Sequence, residues 1–378
     1  MATLLALDER QEAVSDCRDL HTEISHELED PQWDSFLCSQ PRASYPQSSW
    51  WARGKGLLGY RAVRIKVAHG DRIVGGAQVL IRPFRFAGNF GFVPLGPVLG
   101  QDRVGLAELV LNHLRIVARD EHLRYLAVQP PLGGEAMDPL LHALKFQAAP
   151  LDLAPSASVC LDLSNDLKTL LRRMHRHTRR NIQTSENCGV VVREGNESDL
   201  ALSHKLMIQT GNRHGYSPYR LEYFTQLWKI FAPAGLIKLF IAEVEGEAVS
   251  ALFAIVFGDT ATAWKFGWSG LQHKRFPNEA IHWAAIQWAA SNGCRYYDGG
   301  GINREIAIQL SGAASSGIQT ERREQFKTGF GGEVVVGPRA YGYLPNPVLR
   351  LAHRAIPNDI AQSHRLVPAL NWVLSKLR

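Results

Sequence analysis

The residues best suited to chemistry lie in one stretch, Arg295 to Gly332, which reads RYYDGGGINREIAIQLSGAASSGIQTERREQFKTGFGG. A strand-like start runs through Asp298 into three glycines, a polar Ser/Gly/Ala loop follows, and Phe326-Lys327 stands just ahead of a second glycine cluster. Glycine tolerates φ > 0 and lets backbone come close to a ligand, while lysine supplies a compact positive charge beside an aromatic neighbour. Such a set suits electrostatic stabilisation. It carries no nucleophile elbow GxSxG, and the chain has no P-loop GxxxxGK[ST] and no GxGxxG after an expected strand. Each feature also has a plain structural reading, as a bulge, a surface loop and a solvated lysine.

A second cluster is basic. Arg172, Arg173, His175, Arg176, His177, Arg179 and Arg180 crowd into nine positions of LKTLLRRMHRHTRRNIQTSE. Leu170, Leu171, Met174 and Ile182 can form one helical seam, which leaves the arginines on the remaining faces. Guanidinium groups at this density suit phosphate, and nucleic-acid affinity comes largely from such contacts. A solvated charged helix is the alternative. His175 and His177 fall on different helical faces of such a helix, so no metal pair is expected.

The elements that must position these residues follow from periodicity. Residues 1–30 are acidic and helix-prone. Tyr60 to Ala68 and Ile73 to Phe84 alternate as strands around His69-Gly70-Asp71, a hairpin; residues 104–119 carry apolar positions at helical spacing, and Arg124 to Val128 form a strand. The same order returns downstream. Leu236 to Glu245 and Ala248 to Phe257 flank Gly246, a helix spans Asn278 to Ser291, and AASNGCRYYDG matches ARDEHLRYLAV in its Ala and Arg-Tyr. Hairpin, helix and strand recurring in one order argue for two copies of a mixed α/β domain. Between them, Arg213-His214-Gly215-Tyr216 sits at a helix end, where cleft residues often lie. Ala263 to Ser269 reads as a strand with its large aromatics on one face.

Composition sets the bounds. At 378 residues the chain is long enough for two domains, and 45% hydrophobic with 21% charged residues fits a globular protein. Net charge is +6, a mild bias toward anionic partners. Five scattered cysteines without CxxC spacing point to a reducing, cytoplasmic setting and to no zinc site. No window reaches the length of a membrane span.

The order Trp50/Trp51 with Lys55, Gly96-Pro97-Val98, the basic LRRMHRHTRRNIQ, TGNRHGY, the aromatic strand with FPNEAIHW, YYDGGGI and FKTGFGG resembles the FemAB/FemX family over roughly residues 30–335. These are aminoacyl-tRNA-dependent transferases that build peptidoglycan interpeptide bridges. The resemblance implies two tandem GNAT-like domains, each a mixed sheet flanked by helices, with a cleft between them. Residues 1–152, completed by 334–378, would form the first, and 153–333 the second. It implies that Lys55 and Arg213 bind the precursor's phosphates, with Tyr216 beside Arg213; that Trp264 and Phe266 line the precursor cleft; and that Lys327, next to Phe326, stabilises charge where the acyl ester is attacked. Arg172, Arg173, Arg176, Arg179 and Arg180 would meet the tRNA. The chain departs from the family at Leu95, where an arginine usually precedes Gly-Pro-Val, and at Asp102, which comes later than the family's aspartate.

An aminoacyl ester is already activated, so holding it against an amine and stabilising the oxyanion can suffice without ATP or a cofactor. Asp298 or Asp102 could take the amine's proton, as could substrate phosphate or solvent. The reading is thus an aminoacyltransferase using aminoacyl-tRNA, with a peptidoglycan precursor as acceptor and no DNA partner. A small amine of an antibiotic pathway is a second acceptor class, a GNAT-type acyl-CoA transferase a second enzyme class, and an RNA-binding protein the non-enzymatic alternative. The tail, with Trp372, Lys376 and Arg378, fits packing on the first domain or a peripheral membrane helix.

Overall fold

The computed structural model describes residues 20–100, 105–311, 322–346 and 350. The chain divides into two compact units: one takes the chain up to Gln40, Ser44–Ala154 and a return beginning at Gly337, the other Pro41–Ala43 and Pro155–Val336.

In the first unit, β1 (Leu20–Ser25), β2 (Arg61–His69), β3 (Arg72–Phe84), β4 (Gly88–Pro94), β5 (Val98–Leu99), β6 (Leu123–Gln129), β7 (Gln147–Ala148) and β15 (Tyr341–Tyr343) make one sheet. Its order is β1-β2-β3-β4-β6-β15-β7, with β5 beside β3. Only β4 and β6 pair in parallel there among the described residues. The second unit holds β8 (Ala157–Asp162), β9 (Val190–Glu194), β10 (Ile237–Val244), β11 (Glu247–Phe257), β12 (Thr260–Trp268), β13 (Tyr296–Gly301) and β14 (Glu333–Val336), in the order β14-β8-β13-β12-β11-β10-β9.

The duplication expected from the sequence is present. Each unit runs through a hairpin, a third antiparallel strand, a helix and a strand parallel to the third: β2-β3-β4, Leu106–Asp120 and β6 in one, β10-β11-β12, Pro277–Ser291 and β13 in the other. Both hairpins turn on a glycine at positive φ, Gly70 at 57° and Gly246 at 80°. The helix Leu106–Asp120 buries Leu106, Val110, Leu111, Leu114, Val117 and Ala118, the face its periodicity predicts. In the second unit Ile281, Ala285, Ile286 and Ala289 join Phe240, Leu252 and Ala254 in the core. Each large aliphatic side chain buried this way contributes about 1.5–3 kcal/mol before entropy is counted.

Four expectations are corrected. Leu20–Ser25, read as helix-prone, is a strand, because β2 offers it an edge and backbone pairing outweighs propensity. The basic segment is two helices, Leu167–Arg173 and Arg176–Asn187, since Met174 and His175 are extended, with ψ of 153° and 147°. His175 and His177 therefore lie with ring centroids 5.6 Å apart instead of on separate faces. No third His, Cys, Asp or Glu joins them among the described residues. Val334–Val336 pairs with β8 in the second sheet, so the chain joins the first unit only from Gly337.

The fourth concerns the aromatic strand. Ala254 pairs with Ala263 but Phe253 pairs with Lys265, so Trp264 is the extra residue of a bulge. A bulge breaks the alternation of faces. Trp264 accordingly packs on Phe224, while Phe266 faces His282 on the opposite side of the sheet.

No helix among the described residues is long and apolar enough to cross a membrane.

Candidate active site

The two units differ where their parallel strands meet. β4 and β6 stay paired from Asn89 to Pro94, whereas β12 and β13 pair only at Thr260–Tyr296, Ala261–Tyr297 and Thr262–Asp298. Past Asp298 the strands part, and the three glycines lie at the parting. Backbone groups freed there need other partners. The Gly300 N–H donates to Asp298 Oδ1 at 2.8 Å, and the Ser158 hydroxyl donates to the same oxygen. The Gly301 carbonyl accepts Lys327 Nζ at 2.8 Å and Arg323 Nη2 at 2.9 Å. Gly300 has φ +82°, a conformation that favours glycine, and a Cβ on it would stand in tight contact 3.1 Å from Lys327 Nζ.

Lys327 and Arg323 lie on one helix, Arg322–Thr328, four positions apart, hence on one face. Burial strips water from Lys327 and lowers its pKa to about 8; Arg323 pushes it the same way, while Asp298 and Glu324 oppose. Glu324 is buried, and its Oε1 accepts the Asn303 N–H at 3.3 Å. Asp298 thus holds the glycine strand and places a negative charge in the lysine's field.

Behind the lysine is an aromatic wall. His282 is buried, with Phe326, Phe330 and Phe266 at 5.4, 5.5 and 5.9 Å between ring centroids, and its Nδ1 hydrogen-bonds the Tyr297 hydroxyl at 2.8 Å. Burial first, then the charge of Lys327, pushes the imidazole down to about 3. A buried neutral imidazole must gain a proton on unfolding below its free value of 6.5. Stability from His282 is therefore complete above pH 6.5 and lost as pH falls toward 3, by at most about 1.4 kcal/mol per pH unit. Urea unfolding of the full chain across that range should show this slope, and His282→Gln should flatten it by about one proton.

Arg213 donates Nη1 to the Ser269 carbonyl at 3.0 Å and Nη2 to Thr210 Oγ1 at 3.3 Å and to the Trp268 carbonyl, with its guanidinium 5.1 Å from the Trp268 ring. It braces the loop that closes β12. Tyr216 is 42% exposed. Its phenol is raised by burial and pulled back by both Arg213 and Arg323, which ties this loop electrostatically to the lysine helix.

The basic helices touch the same site through the second glycine cluster. The His175 N–H donates to the Gly329 carbonyl at 2.8 Å, and a Cβ on Gly331 would stand 2.6 Å from the Arg173 carbonyl oxygen. These glycines serve close packing of the lysine turn on the helix break. Arg172, Arg173, Arg176 and Arg180 are exposed. Arg179 is half-buried and spans the break, donating Nη1 to the Arg172 carbonyl at 2.9 Å and to the Met174 carbonyl.

Known proteins carry the same plan. An acetyltransferase (GNAT) domain model matches residues 171–306, which include the basic helices, His282 and Asp298 and end before Arg323 and Lys327. A lipid II:glycine glycyltransferase of Staphylococcus saprophyticus is 24% identical over 234 residues, 59% of this chain and 56% of its own length. The one from Staphylococcus aureus (strain MRSA252) is 22% identical over 224 residues, 56% of this chain and 53% of its own. The chain thus spans little more than half of these relatives. A solved FemX superimposes with TM-score 0.74 at 17% identity, covering 87% of this chain and 99% of that one. The resemblance to the FemAB/FemX family holds. A tandem GNAT protein from the clavulanic acid biosynthesis pathway matches at TM-score 0.52 and 13% identity, covering 87% and 99%. The fold is two tandem GNAT-like units, as the FemAB/FemX resemblance implied.

The residues named from the sequence fall into separate places in that plan. Lys327, Phe326, Phe266 and Asp298 surround the parted strands; Arg213 braces the loop after β12, and Tyr216 lies in the field of both Arg213 and Arg323. Trp264 lies on the other face. Lys55 belongs to the first unit, in the helix Ser49–Gly56, with Nζ 5.3 Å from the Trp51 ring and 5.7 Å from Tyr60. Asp102 lies outside the described residues. Sequence reasoning misses Arg323 and His282. The i, i+4 spacing of Arg323 to Lys327 is a usable signal; nothing local marks His282, whose neighbours come from three separate segments.

Proposed function

We propose that the chain is an aminoacyltransferase that moves an amino acid from an aminoacyl-tRNA to an amine of a peptidoglycan precursor, forming an amide without ATP or a cofactor. The observation that carries this reading is Lys327: a half-buried cation held by a glycine carbonyl at parted strands, on a turn packed against an exposed run of arginines. The amine attacks the ester carbonyl carbon, and the cation meets the oxyanion in surroundings where charge is poorly screened. Arginines at 172, 173, 176 and 180 suit the phosphates of a polynucleotide donor. Support for the acceptor comes from the relatives, whose names state transfer of glycine to lipid II.

The test is transfer of labelled amino acid from a pool of charged tRNAs, with and without a lipid-linked or nucleotide-linked precursor; glycine and lipid II are the first pair to try. Label on the precursor that depends on charged tRNA is the expected result. Label on a small amine alone would replace the acceptor. Activity with acyl-CoA and not with tRNA would overturn the donor.

A further inference from the structure

One atom, the Gly301 carbonyl oxygen, accepts both Lys327 Nζ at 2.8 Å and Arg323 Nη2 at 2.9 Å. Two cations on one carbonyl must stand within a few ångströms of each other, a costly arrangement unless something is gained by it. We propose that Arg323 is a positioning residue for Lys327: it shares the carbonyl that fixes the ammonium and sets a like charge beside it, so that Lys327 gives up and regains a proton during transfer instead of acting as a fixed cation.

The inference rests on the aminoacyltransferase reading. In the transfer step the amine nitrogen bonds to the ester carbonyl carbon, the bond from that carbon to the ribose oxygen breaks, and the leaving oxygen takes a proton from the Lys327 ammonium. The neutral Nζ then takes the surplus proton from the new amide nitrogen, leaving amide, free ribose hydroxyl and the ammonium restored.

The groups facing Lys327 set the balance. From its own helix come Arg323, which disfavours the ammonium, and Glu324, which favours it; Asp298 on β13 favours it; His282, on Pro277–Ser291, is neutral and adds no charge. Burial and Arg323 together outweigh the two carboxylates, and the lysine's pKa sits at about 8. Removing Arg323 leaves the carboxylates with less opposition.

Competitive acetic anhydride labelling of the full chain, read at Lys327 by mass spectrometry across pH 6–11, reports its titration without any substrate. The midpoint should stand near 8 in the wild type, rise by roughly one unit in Arg323→Gln, and stay near 8 in Arg323→Lys. Initial rates of transfer should fall on the alkaline side with the same midpoint, and this limb should move upward in Arg323→Gln. A wild-type midpoint near 10.5, or one that Arg323→Gln leaves in place, overturns the inference. A shifted labelling midpoint in a protein that transfers nothing would leave the Arg323–Lys327 coupling standing and overturn the transferase reading.

Discussion

Lys327→Ala is expected to lower the kcat of aminoacyl transfer by roughly 10²–10³, the range seen when one oxyanion-stabilising donor is removed, while the KM for the precursor changes only a few-fold. The Nζ reaches the parted strands through the space over Gly300 and ends on the Gly301 carbonyl. Alanine removes that charge and leaves the carbonyl with Arg323, so the strand keeps a partner. Truncating Lys327 also removes a cation that faces Asp298 and the buried Glu324, whose Oε1 keeps its bond from Asn303, so folding is read beside activity. Single-turnover transfer from charged tRNA, beside a thermal unfolding curve, checks both halves. An unchanged kcat would remove Lys327 from the chemistry.

The second large effect is on the donor. Changing Arg172, Arg173, Arg176 and Arg180 together to Gln should weaken tRNA binding by about a hundredfold or more near 0.1 M salt, since counterion release there is worth up to about tenfold per neutralised phosphate. The slope of log affinity against log salt should flatten by roughly 0.9 for each phosphate that is no longer neutralised. Arg179 stays in place in this variant: its bonds to the Arg172 and Met174 carbonyls close the helix break, and losing it would confuse folding with binding. Because the break seats the Gly329–Gly331 turn, the quadruple variant should keep the break and alter only exposed charge. Filter binding of charged tRNA over a salt series reads this directly. Equal affinity and equal slope would make the patch a solvated face.

The hairpins, the two long amphipathic helices and the repeat were legible because each depends on local periodicity: alternation around Gly70 and Gly246, and buried positions three and four apart in Leu106–Asp120. The helix break at Met174–His175 was not, because no proline or glycine marks it. It is held by partners distant in sequence, the Gly329 carbonyl above all. Nor was the bulge at Trp264, since an extra residue is visible only when a strand is laid against its neighbour.

The sequence by itself determined the two-copy α/β plan, the order of motifs that ties the chain to the FemAB/FemX proteins, and the identity of the two chemical features, a lysine between glycine clusters and a dense run of arginines. The tertiary structure decided what surrounds those features. It parted β12 from β13 after Asp298 while leaving β4 and β6 paired to Pro94, and so opened the candidate site in the second unit. It turned Asp298 toward the Gly300 N–H, brought Arg323 onto the carbonyl that holds Lys327, and placed neutral His282 behind them. Burial and the sum of nearby charges fix a lysine's titration, and both are properties of what surrounds a residue in space, which spacing along the chain does not encode.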